Sequence, residues 1–246
     1  MEAGVAPHLY RATAGDIATL SESDVVLYNG LHLEGRMGEL FEEMSRSRPT
    51  VAVTRDIPES RLITTGGATD PHVWFDADLW GIAARTVADA YREADPANAS
   101  AYTERLAAYL AELDALSADI TARFRTIPER SRVLVTSHDA FAYLGRRYGL
   151  QVEGIQGIST AGEASTADIR RVAALIADRR LKAVCVESST PRQTIEAVRA
   201  EARVRGQDAT IGGELFADAA GSAGTPEGTY LGMVRHNVDL ITRGRS

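Results

Sequence analysis

Five histidines stand in the chain, at positions 8, 32, 72, 138 and 236, and their surroundings decide which of them could do chemistry. His72 sits in Asp70-Pro-His-Val-Trp-Phe-Asp-Ala-Asp-Leu-Trp80, between a proline and a wall of aromatics, ahead of a helix expected from about Ala77. His138 lies two residues past the β-branched run Arg132 to Thr136, in Thr-Ser-His-Asp-Ala-Phe, with a helical pattern following. His8 stands in Ala-Pro-His-Leu-Tyr, ahead of a helix start signalled by Thr13 to Asp16. Asp218 closes the Gly-Gly-Glu-Leu-Phe-Ala-Asp loop after a weaker strand ending at Ile211. The four share a loop-before-helix setting, two in each half of the chain. Ligands of open α/β sheets bind outside the carboxyl ends of the strands. Three imidazoles and a carboxylate suit a divalent transition metal, since imidazole nitrogen binds zinc and related ions and a bidentate carboxylate can complete the sphere.

The spacing contains neither HxxxH nor CxxC, so residue type and setting carry this expectation. His32, in Tyr-Asn-Gly-Leu-His-Leu-Glu, also follows a strand, and its position leaves it open as a further donor. His236 lies on the last helix, well away from the stripe of Tyr230, Met233, Val234, Val238 and Ile241, and is expected in solvent.

The elements that must position these residues follow from hydrophobic period. Short runs at Asp24 to Tyr28, Thr50 to Thr54, Arg132 to Thr136, Ala183 to Glu187 and Gln207 to Ile211 alternate with helical patterns, which predicts an α/β fold with parallel sheets. The longest helical pattern places Tyr102, Leu106, Leu110, Leu113, Leu116, Ile120 and Phe124 three or four apart, with Asp95-Pro96 as its start signal and Pro128 as its stop. A rod of about 45 Å is long enough to run along two lobes. The expected organisation is an N-terminal lobe over 1–94, a connecting helix over 95–127 and a C-terminal lobe over 128–246. Only two clear strands precede the helix, and the chain opens with loop composition, so the N-terminal lobe reads as truncated.

Composition narrows the class of function. A chain of 246 residues with 44% apolar content can fill substantial cores. A net charge of -7 disfavours a nucleic-acid partner, because a phosphate backbone calls for a basic face and the sequence has no Lys/Arg cluster of that kind. Cys185 is the single cysteine, within Ala-Val-Cys-Val, which leaves core packing as its role and rules out an intramolecular disulfide or a cysteine-rich zinc site. No stretch reaches the roughly 20 apolar residues of a membrane span, and the start lacks the regions of a signal peptide.

The segments PHLYRATAGD, VVLYNGLHLEG, DPHVWFDADLW, VLVTSHDAFAYLGRRYG, IQGISTAGEAS, VESS and IGGELFADAAG, in this order, closely resemble the metal-binding receptors of ABC transporters of the TroA and ZnuA type. The resemblance covers nearly the whole chain. It implies two α/β lobes joined by one long backbone helix, and a substrate-binding protein that is not an enzyme. It further implies zinc first, manganese second, as the transported ion, with His8, His72, His138 and Asp218 as ligands and His32 outside the set. The implied partners are the metal and a membrane permease, and the implied setting is periplasmic or extracytoplasmic, as a monomer. The aspartate of the family's first motif is replaced by Ala6, and Arg61 to Thr69 lacks the histidine-rich acidic loop of many zinc-specific relatives.

Nitrogen from His138, where a glutamate would lean towards manganese, favours zinc on ligand softness. Because imidazole binds metal only when neutral, affinity is expected to fall below about pH 6.5. Asp139 is expected to cap a helix, Glu187 to orient loops or a histidine, Glu163 to play a structural role, and Glu214 to pair with the permease or face solvent. The rival reading is a zinc hydrolase, with three ligands, an open position for water and Glu163 or Glu187 as base. Against it stand the fourth ligand Asp218 and the absence of HExxH. A siderophore or cobalamin receptor on a related scaffold would leave the four candidate ligands without a purpose.

Overall fold

The structure, a computed structural model, describes residues 4–243; Met1 to Ala3 of the opening loop and the last three positions of the C-terminal lobe lie outside the described residues. The chain divides into two compact units, Pro7–Ser117 and a second running from Ala118 onward together with the residues ahead of Pro7.

In the first unit a 3-10 turn at Pro7–Leu9 leads to α1 (Ala14–Glu22), β1 (Val26–Tyr28), α2 (Gly38–Ser45), β2 (Thr50–Ala52), the hairpin β3 (Thr64–Thr65) and β4 (Ala68–Thr69), and α3 (Ala77–Ala94). α4 (Ala99–Arg125) begins in this unit and ends in the other. β1 and β2 pair in parallel, Val26 opposite Thr50, and Val26 packs with Met37, Phe41 and Met44. α1 starts where the sequence signals it, because the Thr13 hydroxyl accepts from the Asp16 amide while the Asp16 carboxylate accepts from the Thr13 amide. α3 starts on the Asp76 carboxylate, which accepts from the amides of Asp78 and Leu79. Its buried positions Leu79, Ala83, Thr86 and Ala90 recur at helical spacing, and the Trp80 indole N–H ties it to the Tyr109 hydroxyl on α4 at 3.0 Å.

α4 holds 27 residues and spans ~40 Å. Asp95-Pro96 first forms a 3-10 turn, Pro96–Asn98, and the Asp95 carboxylate accepts from the Asn98 side chain and the Tyr102 hydroxyl, so the helix proper begins four residues after Asp95.

In the second unit β5 (Val133–His138), α5 (Ala142–Tyr148), β6 (Gln151–Gln156), α6 (Thr166–Asp178), β7 (Ala183–Glu187), α7 (Gln193–Val204), β8 (Thr210–Leu215) and α8 (Tyr230–Arg243) alternate regularly. β5 pairs with β6 and β7 with β8, all in parallel, and β5 lies beside β7. Val133, Val135, Val184 and Val186 from these strands pack with Val172 and Ile176 of α6 and Ile195 and Val198 of α7. Cys185 is buried in the core, as its apolar flanks predict.

Two strand readings need correction. β6 has no counterpart among the expected strands: Gln151-Val-Glu-Gly-Ile-Gln156 carries only two apolar side chains, and of its residues Ile155 alone is fully buried. Its glycine answers to tertiary packing, since a Cβ on Gly154 would sit 2.5 Å from the Asp139 amide nitrogen. β8 runs to Leu215, beyond the expected end at Ile211, because Gly212 and Gly213 lower the strand signal at a bulge opposite β7. Among the described residues no helix is long and apolar enough to cross a membrane.

Candidate metal-binding residues

In the first unit, Asp70-Pro71 turns the chain so that His72 and the aromatic residues behind it enter the core: His72, Val73, Trp74 and Phe75 are all buried. One oxygen of Asp70, Oδ1, accepts from the His72 amide at 2.9 Å and lies 2.7 Å from His72 Nδ1. The carboxylate thereby fixes both the backbone and the ring, holds the proton on Nδ1 and gives Nε2 the donor lone pair. The Trp74 ring meets the imidazole edge at 5.2 Å. His8, buried within its 3-10 turn, faces His72 at 5.5 Å between ring centroids with the planes at 61°.

In the second unit, His138 is the last residue of β5 and is fully buried, whereas the sequence places it two residues beyond its strand. The strand is longer than expected because β6 supplies a partner as far as His138, opposite Gln156. Glu187, at the end of β7, accepts from the His138 amide at 3.0 Å through Oε1 and makes a short contact with Nδ1 through Oε2. The other ring nitrogen, Nε2, stands 3.3 Å from Asp218 Oδ1. Burial alone would lower the His138 pKa, but the charges and hydrogen bonds of Glu187 and Asp218 outweigh it and raise the imidazole to about 10. Asp218 lies three residues past β8, where the Phe216 amide and carbonyl are both bound by the Asn237 side chain of α8.

Each unit therefore brings together one pair of candidate ligands, His8 with His72 and His138 with Asp218. His32 is exposed, in a left-handed backbone conformation with φ of 63°. His236 departs from its expected solvent exposure: it is half-buried, its Nε2 lies 3.1 Å from the Glu214 carbonyl and its ring packs on Phe216. The stripe argument considered only the helix's own face and could not see β8. Asp139 is not the cap of α5, which starts after Phe141 without a side-chain cap; its amide instead meets the Gln156 carbonyl at the end of β6. Glu163 and Glu214 are exposed. The sequence reading gives Asp70-Pro71 the turn that presents His72 but not the bond to its ring, although a carboxylate two residues before a histidine across a proline was a visible signal.

The family described as zinc-uptake complex component A, periplasmic (ZnuA), matches residues 1–244. The zinc-binding protein TroA of Treponema pallidum (strain Nichols) is 49% identical over 242 residues, which are 98% of this chain and 79% of TroA. The manganese-binding lipoprotein MntA of Bacillus subtilis (strain 168) is 44% identical over 245 residues, 99% of this chain and 80% of MntA. The solved structure of the periplasmic zinc-binding protein TroA from Treponema pallidum superposes with a TM-score of 0.98 at 47% identity, covering 100% of this chain and 89% of that one.

Proposed function

Because the chain belongs to the ZnuA family of periplasmic zinc-uptake components, we propose that it is an extracytoplasmic receptor that captures a divalent transition metal and delivers it to a membrane ABC permease. His8 and His72 of one unit and His138 and Asp218 of the other are its proposed ligands. One observation carries this reading: in each unit a buried imidazole has its amide and its Nδ1 bound by a single carboxylate, Asp70 for His72 and Glu187 for His138. That arrangement orients a histidine for coordination through Nε2 and increases its basicity.

Zinc is the first expected cargo, because three nitrogens and one carboxylate bind it more strongly than manganese at most sites of this type. Manganese is second, in keeping with the name of the manganese-binding relative. Loss of either pair of proposed ligands leaves half a coordination sphere. Release to a permease then requires withdrawing one pair. The relatives are named as metal-binding proteins, which favours a receptor over a hydrolase.

The test is metal content. Purified protein loaded with zinc and analysed by mass spectrometry is expected to hold one ion per chain, and His138→Ala and Asp218→Ala are each expected to lose it. Full retention in both variants would remove this ligand set.

A further inference from the structure

The loop Asn29–Gly35 leaves β1 in a conformation that its own residues disfavour. Gly30, Leu31, His32 and Gly35 all have positive φ, at 87°, 53°, 63° and 42°, and two of them carry side chains. Something outside local preference must hold it. That is Glu34, a carboxylate only 7% exposed, which accepts from the Asn29 amide through Oε1 and from the Gly30 amide at 3.1 Å through Oε2. The Leu33 amide closes the same turn on the Gly30 carbonyl at 3.0 Å.

Both ends of this stapled loop meet the backbone beside a proposed ligand. At one end the Asn29 side-chain amide donates to the Pro71 carbonyl at 3.2 Å, the peptide immediately before His72, while the Asn29 carbonyl accepts from the Thr54 hydroxyl at 2.7 Å. At the other end Gly35 lies against His8: a Cβ there would stand 2.6 Å from the His8 carbonyl oxygen, so only glycine permits the approach. Asp70 fixes the orientation of one ring, but it does not fix the distance between segments that lie some sixty positions apart in sequence. The loop touches both.

We propose that Glu34 is a positioning residue for metal capture: by stapling the Asn29–Gly35 loop it makes that loop a spacer that sets the separation of the His8 and His72 backbones. This inference rests on the reading of His8 and His72 as ligands. The Glu34 carboxylate bonds to the Asn29 and Gly30 amides; its effect on affinity passes through Asn29 and Gly35. A glutamine in its place keeps the volume but presents one donor to a pair of N–H donors, which opens the staple.

The experiment measures zinc affinity by chelator competition at one pH for the wild type, Glu34→Gln, Asn29→Ala, His72→Ala and the control Asp56→Asn, with the melting temperature of each metal-free protein. Asp56 is a carboxylate of the same unit that accepts the Thr86 hydroxyl of α3 and has no bond to the loop. The expected result is a loss of about tenfold or more for Glu34→Gln, of the size that supporting residues of metal ligands contribute, and a severalfold loss for Asn29→Ala. Asp56→Asn should stay within about twofold whatever its melting temperature. Glu34→Gln within about twofold of wild type would overturn the proposal, as would an equal loss in Asp56→Asn. If Glu34→Gln fails to fold, Asn29→Ala decides by the same comparison, because it leaves the staple intact and removes only the tie to Pro71. His72→Ala separates the two levels: zinc binding unchanged in that variant overturns the ligand reading itself, whereas loss there with Glu34→Gln unaffected overturns only the spacer.

Discussion

His72 and His138 are held by the same pair of bonds, a carboxylate on the backbone amide and on Nδ1, yet the carboxylates come from opposite distances along the chain. Asp70 stands two residues before His72, across a proline that restricts the turn. Glu187 stands 49 positions after His138, on a different strand, and reaches it only because β7 lies beside β5. The first clasp forms as its turn forms. The second depends on the whole packed core of its unit, including Val135 and Val186 on those two strands. The histidine with local support should tolerate loosening of its unit better than the histidine whose support is tertiary.

The strongest way to break this comparison is to remove the distant carboxylate. Glu187→Ala leaves a buried amide and a buried imidazole N–H without their acceptor, and is expected to destabilise the protein by about 3 kcal/mol and to weaken zinc binding by about a hundredfold. Chemical denaturation and chelator competition would measure the two effects. A stable variant with wild-type affinity would show that His138 does not need Glu187.

Acidity sharpens the same contrast. With its imidazole raised to about 10 by Glu187 and Asp218, metal-free His138 carries a proton throughout the range from pH 5.5 to 7.5, and an incoming ion must displace it. Below that pKa each lost pH unit favours the proton, so affinity should rise with pH by about tenfold per unit for one displaced proton, or roughly a hundredfold across this range. Glu187→Gln removes one of the charges responsible, and its affinity should depend less steeply on pH. An equal slope in the two proteins would show that the proton resides elsewhere.

Removing the local carboxylate should do less. Asp70→Asn keeps an acceptor for the amide of His72 and surrenders only charge, so a loss of about tenfold in zinc affinity is expected by the same titration. A loss exceeding that of Glu187→Ala would invert the ranking. The smallest effect belongs to a cap away from the histidine bonds. Asp76→Ala, which takes the side-chain acceptor from the start of α3, should lower stability by about 1 kcal/mol in thermal melts and leave zinc stoichiometry unchanged.

The elements most legible in the sequence are those with local causes. The Thr13 and Asp16 box and the runs that become β1, β2, β5 and β7 all appear as a helix start or strands near their expected positions. The missed elements lack local causes. β6 carries two apolar residues and a glycine shaped by the neighbouring Asp139 backbone, and β8 is interrupted in pattern by two adjacent glycines. Asp139 looked like a cap because an acidic residue preceded a helical pattern, but its amide is engaged with β6 and α5 starts later. His236 looked exposed because the reading took in only its own helix.

The candidate site divides along the same line. Residue type and the loop-before-helix settings bring His8, His72, His138 and Asp218 forward before any coordinates with His32 still open beside them, because donor chemistry is a property of a few consecutive residues; the resemblance to the TroA and ZnuA type is what sets His32 aside. Glu187 reads from the sequence as a carboxylate that could orient a histidine, and it does; that the histidine is His138 was not readable, since the two become partners through the adjacency of β5 and β7. Nor was the role of Glu34, which depends on a loop whose left-handed residues no local propensity would choose. Short-range geometry is written in neighbouring residues; the partners of a buried polar group are chosen by packing, which alone decides which distant groups share a space without water.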